Sequence, residues 1–191
     1  MKLSFDEERM MAVVVERLVG RYPQLPASVV AEVVDAIEGV APVTRAFVVG
    51  SALVGGFDPA TSDLDVVVVV ERTLEQEERE AVVAELDELP QPFRKLELVV
   101  YGAGAKPPAY ELNYPDGPGE PEFWFVLDAA LAQRFAAREW GELLPVSETE
   151  TRSAAEELLR WAEAHDEPVH AARARHYLEH GEWITKEEAR R

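Results

Sequence analysis

The sequence contains no cysteine, which excludes disulfides, thiolate metal sites and a cysteine nucleophile. Positive charge is scarce: 19 Lys and Arg stand against 37 Asp and Glu, a formal net charge of −18. A surface of that sign repels phosphate backbones, so no nucleic-acid partner is expected. No apolar run approaches the ~20 residues a membrane helix needs. The opening MKLSFDEERMM lacks the basic-then-apolar pattern of a secretory signal. A soluble, cytoplasmic protein with no membrane partner is the expectation. The remainder is ordinary for a globular chain. Its 191 residues, 47% hydrophobic and 29% charged, suffice for one well-buried domain, or a domain with a small helical appendage.

The secondary-structure rhythm changes along the chain. Residues 5–20 set Met10, Val14 and Leu18 at helical spacing, with Gly20 as a stop. Pro26, Ala27 and Ser28 open a second helix with Val29, Val33, Ile37 and Val40 on one face, and Pro42 blocks its continuation. Strands are predicted at 45–50 (RAFVVG), 64–70 (LDVVVVV) and 95–101 (KLELVVY). The β-branched middle run is that of a strand buried on both faces. A charged helix over about 74–89 separates the last two and ends at Pro90 and Pro92. Residues 102–121, rich in Gly and Pro, read as a long loop holding a short strand, YELNY. FWFVLD (123–128) is predicted as a fourth strand running into a helix through Arg138. Helices over about 149–165 and 168–180 and a turn from Thr185 complete the chain. The expected class is α+β: a mixed sheet flanked by helices, with a short C-terminal helical region.

The chemistry concentrates in GSALVGGFDPATSDLDVVVVV, residues 50–70. Asp63 and Asp65, two apart on a strand, point to the same face. Together they can hold a divalent metal, because hard cations prefer oxygen ligands. The Gly50-Ser51 turn offers backbone N–H groups and a hydroxyl, donors suited to phosphate. A metal site and a phosphate site joined by a short loop suit a nucleoside triphosphate. Gly-Lys-Ser/Thr is missing, so this is no Walker A loop, and Gly50, Gly55 and Gly56 do not form G-x-G-x-x-G. An isolated Asp-x-Asp is more often a polar turn entering a buried strand; its pairing with Gly50-Ser51 reverses that preference.

Gly-Ser-x11-Asp-x-Asp resembles the signature of the polymerase-β-like nucleotidyltransferase superfamily. The wording around it is most similar to the streptomycin/spectinomycin aminoglycoside adenylyltransferases, where Gly-Ser-Ala-Leu, Gly-Gly, Pro and Ser-Asp-x-Asp recur in this order. The strand Leu96-Glu97-Leu98-Val99 and the closing HAARARHYLEHGEWITKEEA extend the likeness. The resemblance implies adenylyl transfer from ATP to a hydroxyl of a small acceptor. Asp63 and Asp65 would hold Mg²⁺, and Glu97 would be the general base. Gly50 and Ser51 would bind the β/γ-phosphates, with Lys186 and Arg173 reaching the triphosphate. It also implies a division into an N-terminal helical extension (1–24), the nucleotidyltransferase domain (25–145) and the C-terminal helical region (146–191). Against these roles, Glu97 could be an exposed strand residue paired with Lys95 or Arg94, and Lys186 a solvated last turn.

The acidic balance fits a cationic acceptor such as an aminoglycoside, whose ammonium groups carboxylates attract. Glu111, Asp116, Glu120 and Glu122 are candidates, with Trp124 as a stacking wall, although acids of this kind often serve only solubility. His176 and His180 have metal-ligand spacing but no further ligand motif, and His165 is read as a surface or packing residue. His170 is a candidate for contact with the base or ribose. Apolar faces on the first helix and over 151–180 could support a homodimer. A nucleotidyltransferase that modifies a protein partner, as in toxin–antitoxin pairs, and a non-catalytic nucleotide-binding protein of the same fold are the alternatives.

Overall fold

The computed structural model describes residues 27–54, 57–89, 94–103, 108–115, 122–134 and 146–191. The helix expected over 5–20 and the acids Asp116 and Glu120 lie outside them, and the side chain of Glu122 is likewise not described. The described residues fall into two compact units, one within Met1–Glu120 and Ala132–Leu143, the other within Pro121–Leu131 and Leu144–Arg191.

The first unit is a four-stranded mixed sheet in the order β1-β2-β3-β4. Helix α1 (Ala27–Glu38) leads into β1 (Val43–Val48), and a five-residue helix α2 (Gly50–Val54) precedes β2 (Asp63–Val70). Helix α3 (Gln76–Asp87) then connects to β3 (Lys95–Gly102), and β4 (Ala109–Tyr114) follows. Strand β2 is antiparallel to β1 and parallel to β3, and β4 is antiparallel to β3. A parallel pair needs a crossover, which is why the α3 sequence lies between β2 and β3. The start of α3 is fixed by a reciprocal cap: the Glu78 carboxylate accepts the Glu75 N–H at 2.9 Å and is clasped by both ends of the Arg72 guanidinium. That clasp holds Glu78 down to a pKa of about 2.

Residue parity decides what each face of the sheet does. Ala46, Val48, Leu64, Val66, Val68, Val70, Leu96, Leu98 and Val100 belong to the core shared with Val33 and Ile37 of α1 and Val82 and Leu86 of α3. Alternation therefore turns Asp63, Asp65, Val67 and Val69, with Lys95, Glu97, Val99 and Tyr101, to the opposite face. Phe47, Val67, Val69 and Tyr101 are buried there too, as expected of the valine run. The carboxylates come first in β2 and β3, so they sit at one end of this second face.

The second unit is helical: α4 (Glu122–Arg134), α5 (Glu148–Ala164) and α6 (Pro168–His180), with a 3₁₀ turn at Glu188–Arg190. The FWFVLD segment is therefore helix, not the fourth strand; that place is taken by the YELNY strand. A short unbroken apolar run carries no period that separates the two states, and packing decides: Phe123 and Leu127, one turn apart, cluster with Ala154, Leu158 and Ala174. Helix α5 starts at a Ser147–Glu150 capping box, and α6 ends at Gly181, whose φ is 72°. Among the described residues no helix is long and apolar enough to cross a membrane.

Candidate active site

The site begins with the loop from Phe57 to Ser62. The Asp58 carbonyl accepts the N–H groups of Thr61 and Ser62 at 3.0 and 2.7 Å, and the Ser62 hydroxyl accepts the Asp58 N–H at 3.1 Å. Arg94 N–H donates to the Pro59 carbonyl at 2.9 Å, tying this loop to the start of β3. Asp63 thus enters β2 from a turn fastened at both ends.

Register brings the predicted acids together. Asp63 is opposite Lys95 and Asp65 opposite Glu97 across the parallel pair, in strands spaced about 4.8 Å apart. Four ionisable side chains, three acidic and one basic, therefore share one end of one sheet face. Gly50 is brought to the same place from the other side of β2. Val49 N–H donates to the Asp65 carbonyl at 2.9 Å, and Gly50 follows with φ +61°. A Cβ there would lie 1.8 Å from Asp65 Oδ2 and 2.7 Å from its Cγ. Only glycine tolerates both that backbone conformation and that close approach. Ser51 is the next residue, in the first turn of α2.

Two ion pairs set the local charge. Arg94 Nε donates to Asp63 Oδ1 at 2.8 Å and its Nη2 to Asp63 Oδ2 at 2.7 Å. Lys95 Nζ donates to Glu97 Oε1 at 2.8 Å. The hydrogen bond to Glu97, reinforced by its charge, raises the Lys95 pKa; the bond to Asp63 does the same for Arg94. The Glu97–Lys95 pairing anticipated for a merely exposed strand residue is thus present, at a position that also lies beside Asp65. Among the described residues no three acidic or histidine side chains converge as a metal cluster: Glu97 is turned onto Lys95. Asp63 and Asp65 nevertheless form a donor set of hard oxygens on one face, which fits a divalent cation. Arg94 was considered in the sequence only as a partner for Glu97. Its contact with Asp63 depends on register: it precedes Lys95, which lies opposite Asp63.

In the second unit Arg173, Lys186 and His170 influence one another. Burial lowers the His170 pKa, and the charges of Lys186 and Arg173 lower it further. Burial also lowers that of Arg173, opposed by Asp128. Arg173 Nε donates to the Ile184 carbonyl at 2.8 Å and its guanidinium lies 5.9 Å from the Trp183 ring centroid. His170 packs edge-on to Trp124 and Trp161 at 5.4 and 6.3 Å. Trp124, in α4, is therefore part of the helical packing. His176 and His180 lie ring to ring at 4.5 Å, with no third ligand among the described residues. Glu111 is also corrected: it is 5% exposed, with Oε2 accepting from the Leu74 N–H at 3.0 Å and Arg79 Nη2 at 2.9 Å. Such a carboxylate is a structural anchor, not a surface for a cationic ligand.

The comparison with known proteins agrees with this geometry: residues 29–106 match the family model described as nucleotidyltransferase domain. Over that segment the chain is similar to nucleotidyltransferase domains. Among solved structures it is similar to the spectinomycin adenyltransferase AAD(9) from Enterococcus faecialis, whose crystal structure holds ATP and spectinomycin. The TM-score is 0.61 at 19% sequence identity, over 85% of this chain and 79% of that one. At that identity the likeness is one of fold: a mixed sheet with flanking helices, of the α+β class. Among curated proteins no sequence matches the chain. The matched segment runs from α1 to just beyond β3 and so contains Gly50, Ser51, Asp63, Asp65 and Glu97.

Proposed function

We propose that this nucleotidyltransferase moves AMP from ATP to a hydroxyl of a small cationic acceptor, an aminoglycoside or a compound of that class, in the cytoplasm. The observation that carries the reading is the grouping of Asp63, Asp65 and Glu97 on one sheet face, with Gly50 against Asp65. The fold neighbour solved with ATP and spectinomycin supports the nucleotide and the class of acceptor, and the net charge of −18 favours a cation.

Asp63 and Asp65 would hold Mg²⁺, which when bound neutralises charge on the phosphates. Gly50 and Ser51 offer N–H and hydroxyl donors to the β/γ-phosphates. Arg173 and Lys186 are the further residues proposed for nucleotide binding. Glu97 takes the proton from the acceptor hydroxyl as its oxygen bonds to the α-phosphorus and pyrophosphate leaves. Lys95, bonded to Glu97 Oε1 at 2.8 Å, holds that carboxylate in place.

The test is Mg²⁺-dependent transfer of α-labelled ATP to a panel of aminoglycosides, with Asp65→Asn as control. Label on one of them, lost in Asp65→Asn, is the expected result. Transfer that survives in Asp65→Asn would overturn the metal assignment. Metal-dependent ATP binding without transfer to any aminoglycoside would overturn the acceptor class alone.

A further inference from the structure

Arg94 engages Asp63 with two parallel N–H···O bonds of 2.8 and 2.7 Å, one to each carboxylate oxygen. This fork matches a carboxylate in shape and charge. It also directs N–H groups at the lone pairs a divalent cation would need. A metal bound to Asp63 and an Arg94 guanidinium in the fork would be two cations competing for the same oxygens. The Arg94 backbone is fixed by its N–H bond to Pro59, while its side chain is 58% exposed and that of Asp63 21%. The guanidinium can therefore swing into water without disturbing the loop or the strand.

We propose that Arg94 is a positioning residue that holds Asp63 in the metal-free site and is displaced when the divalent cation binds. The inference rests on the reading of Asp63 as a metal ligand. Its consequence is a site with low affinity for the free cation. The Asp63 carboxylate is neutralised internally, and the metal enters effectively only when a triphosphate adds its own oxygens to the donor set. Arg94 thereby couples metal occupancy to nucleotide.

Binding of Mn²⁺ without nucleotide, followed by the electron paramagnetic resonance signal of the free ion, tests this. Arg94→Gln is expected to bind Mn²⁺ roughly five- to tenfold more tightly than the parent, the scale of releasing one partly exposed bidentate pair. Arg94→Lys, which keeps the charge but loses the fork, is expected to fall between. In the Asp63→Asn background, Arg94→Gln should bring no gain. Lys95→Gln removes a neighbouring charge that pairs with Glu97 instead; an equal gain there would reduce the effect to general electrostatics and overturn the proposal. Unchanged or weaker binding by Arg94→Gln would overturn it alone, leaving Asp63 as a ligand. Absence of Mn²⁺ binding by every variant, with or without ATP, would overturn both the proposal and the reading beneath it.

Discussion

Gly50→Ala separates what the site needs from what the fold needs. The parent glycine has φ +61° and stands where a Cβ would come within 1.8 Å of Asp65 Oδ2, 2.7 Å of Cγ and 3.3 Å of Cβ. Two costs follow. The left-handed conformation costs an alanine about 1–2 kcal/mol, partly offset by the lower entropy of its unfolded chain. The contact with Cγ cannot be relieved by turning the carboxylate about its own axis, so the Asp65 side chain must leave its rotamer. The strand cannot recede either, because the Asp65 carbonyl is bonded to Val49 N–H. The expected result is a modest loss of stability, about 1–2 kcal/mol, with a loss of metal affinity of roughly 10–100-fold.

Gly181→Ala supplies the control, since φ there is +72° and nothing lies within 4 Å of the added Cβ. It should show a similar conformational cost with Mn²⁺ binding unchanged. Urea melts and Mn²⁺ titration of both variants are the assay. Parent-like Mn²⁺ affinity in Gly50→Ala would refute the argument that the glycine exists to seat Asp65. A stability loss above about 4 kcal/mol would show instead that the backbone absorbs the clash, the scale of a core disruption.

Three other outcomes are expected. Glu97→Gln should keep Mg·ATP binding and lose transfer by roughly 10²–10⁴-fold, the contribution of a general base; unchanged transfer would remove Glu97 from that role. Glu111→Ala should cost about 1–3 kcal/mol in a urea melt, because it strands the Leu74 N–H, while the KM for acceptor stays constant; a KM shift would restore Glu111 to ligand binding. His170 has a folded pKa lowered by burial. Below its ordinary value near 6.5 the unfolded chain takes up the proton first, so stability is full above that pH and falls as the solution is acidified. His170→Gln should therefore lose less stability than the parent between pH 7.5 and 5.5, and equal losses would refute the assignment.

Most of the sheet was legible from period or from β-branched composition. The Leu-x-Leu of β3 and the Val33/Ile37 spacing of α1 each declare a face, the valine run of β2 marks a strand buried on both, and in the structure they meet in one core. Asp63 and Asp65 share a strand, so alternation alone turned them the same way. FWFVLD had no such period, and only its partners on α5 and α6 show that it is a helix. Glu111 was misread for another reason. Its strand was visible but not its pairing, and the pairing places its carboxylate against Gly102, where a Cβ would meet Oε1 at 2.7 Å. A charged residue in a short strand is ordinarily solvated; here a glycine on the neighbouring strand, an arginine on α3 and a backbone N–H together make burial tolerable.

The same distinction explains why the acids of the site could be found and their counter-ions could not. A carboxylate that binds metal announces itself by local spacing, since both ligands ride on one strand. A cation that competes for it comes from the next strand, after an intervening helix, and its position depends on a parallel register that no local pattern encodes. Arg94 and Lys95 are neighbours in sequence yet clasp different acids, because Lys95 lies in the ladder with its side chain on the acidic face while Arg94 stands just before it and reaches across to Asp63. Two adjacent positive residues thus serve two separate carboxylates. Their proposed roles diverge for that reason: Lys95 holds the carboxylate proposed as base, and Arg94 guards the one proposed as metal ligand.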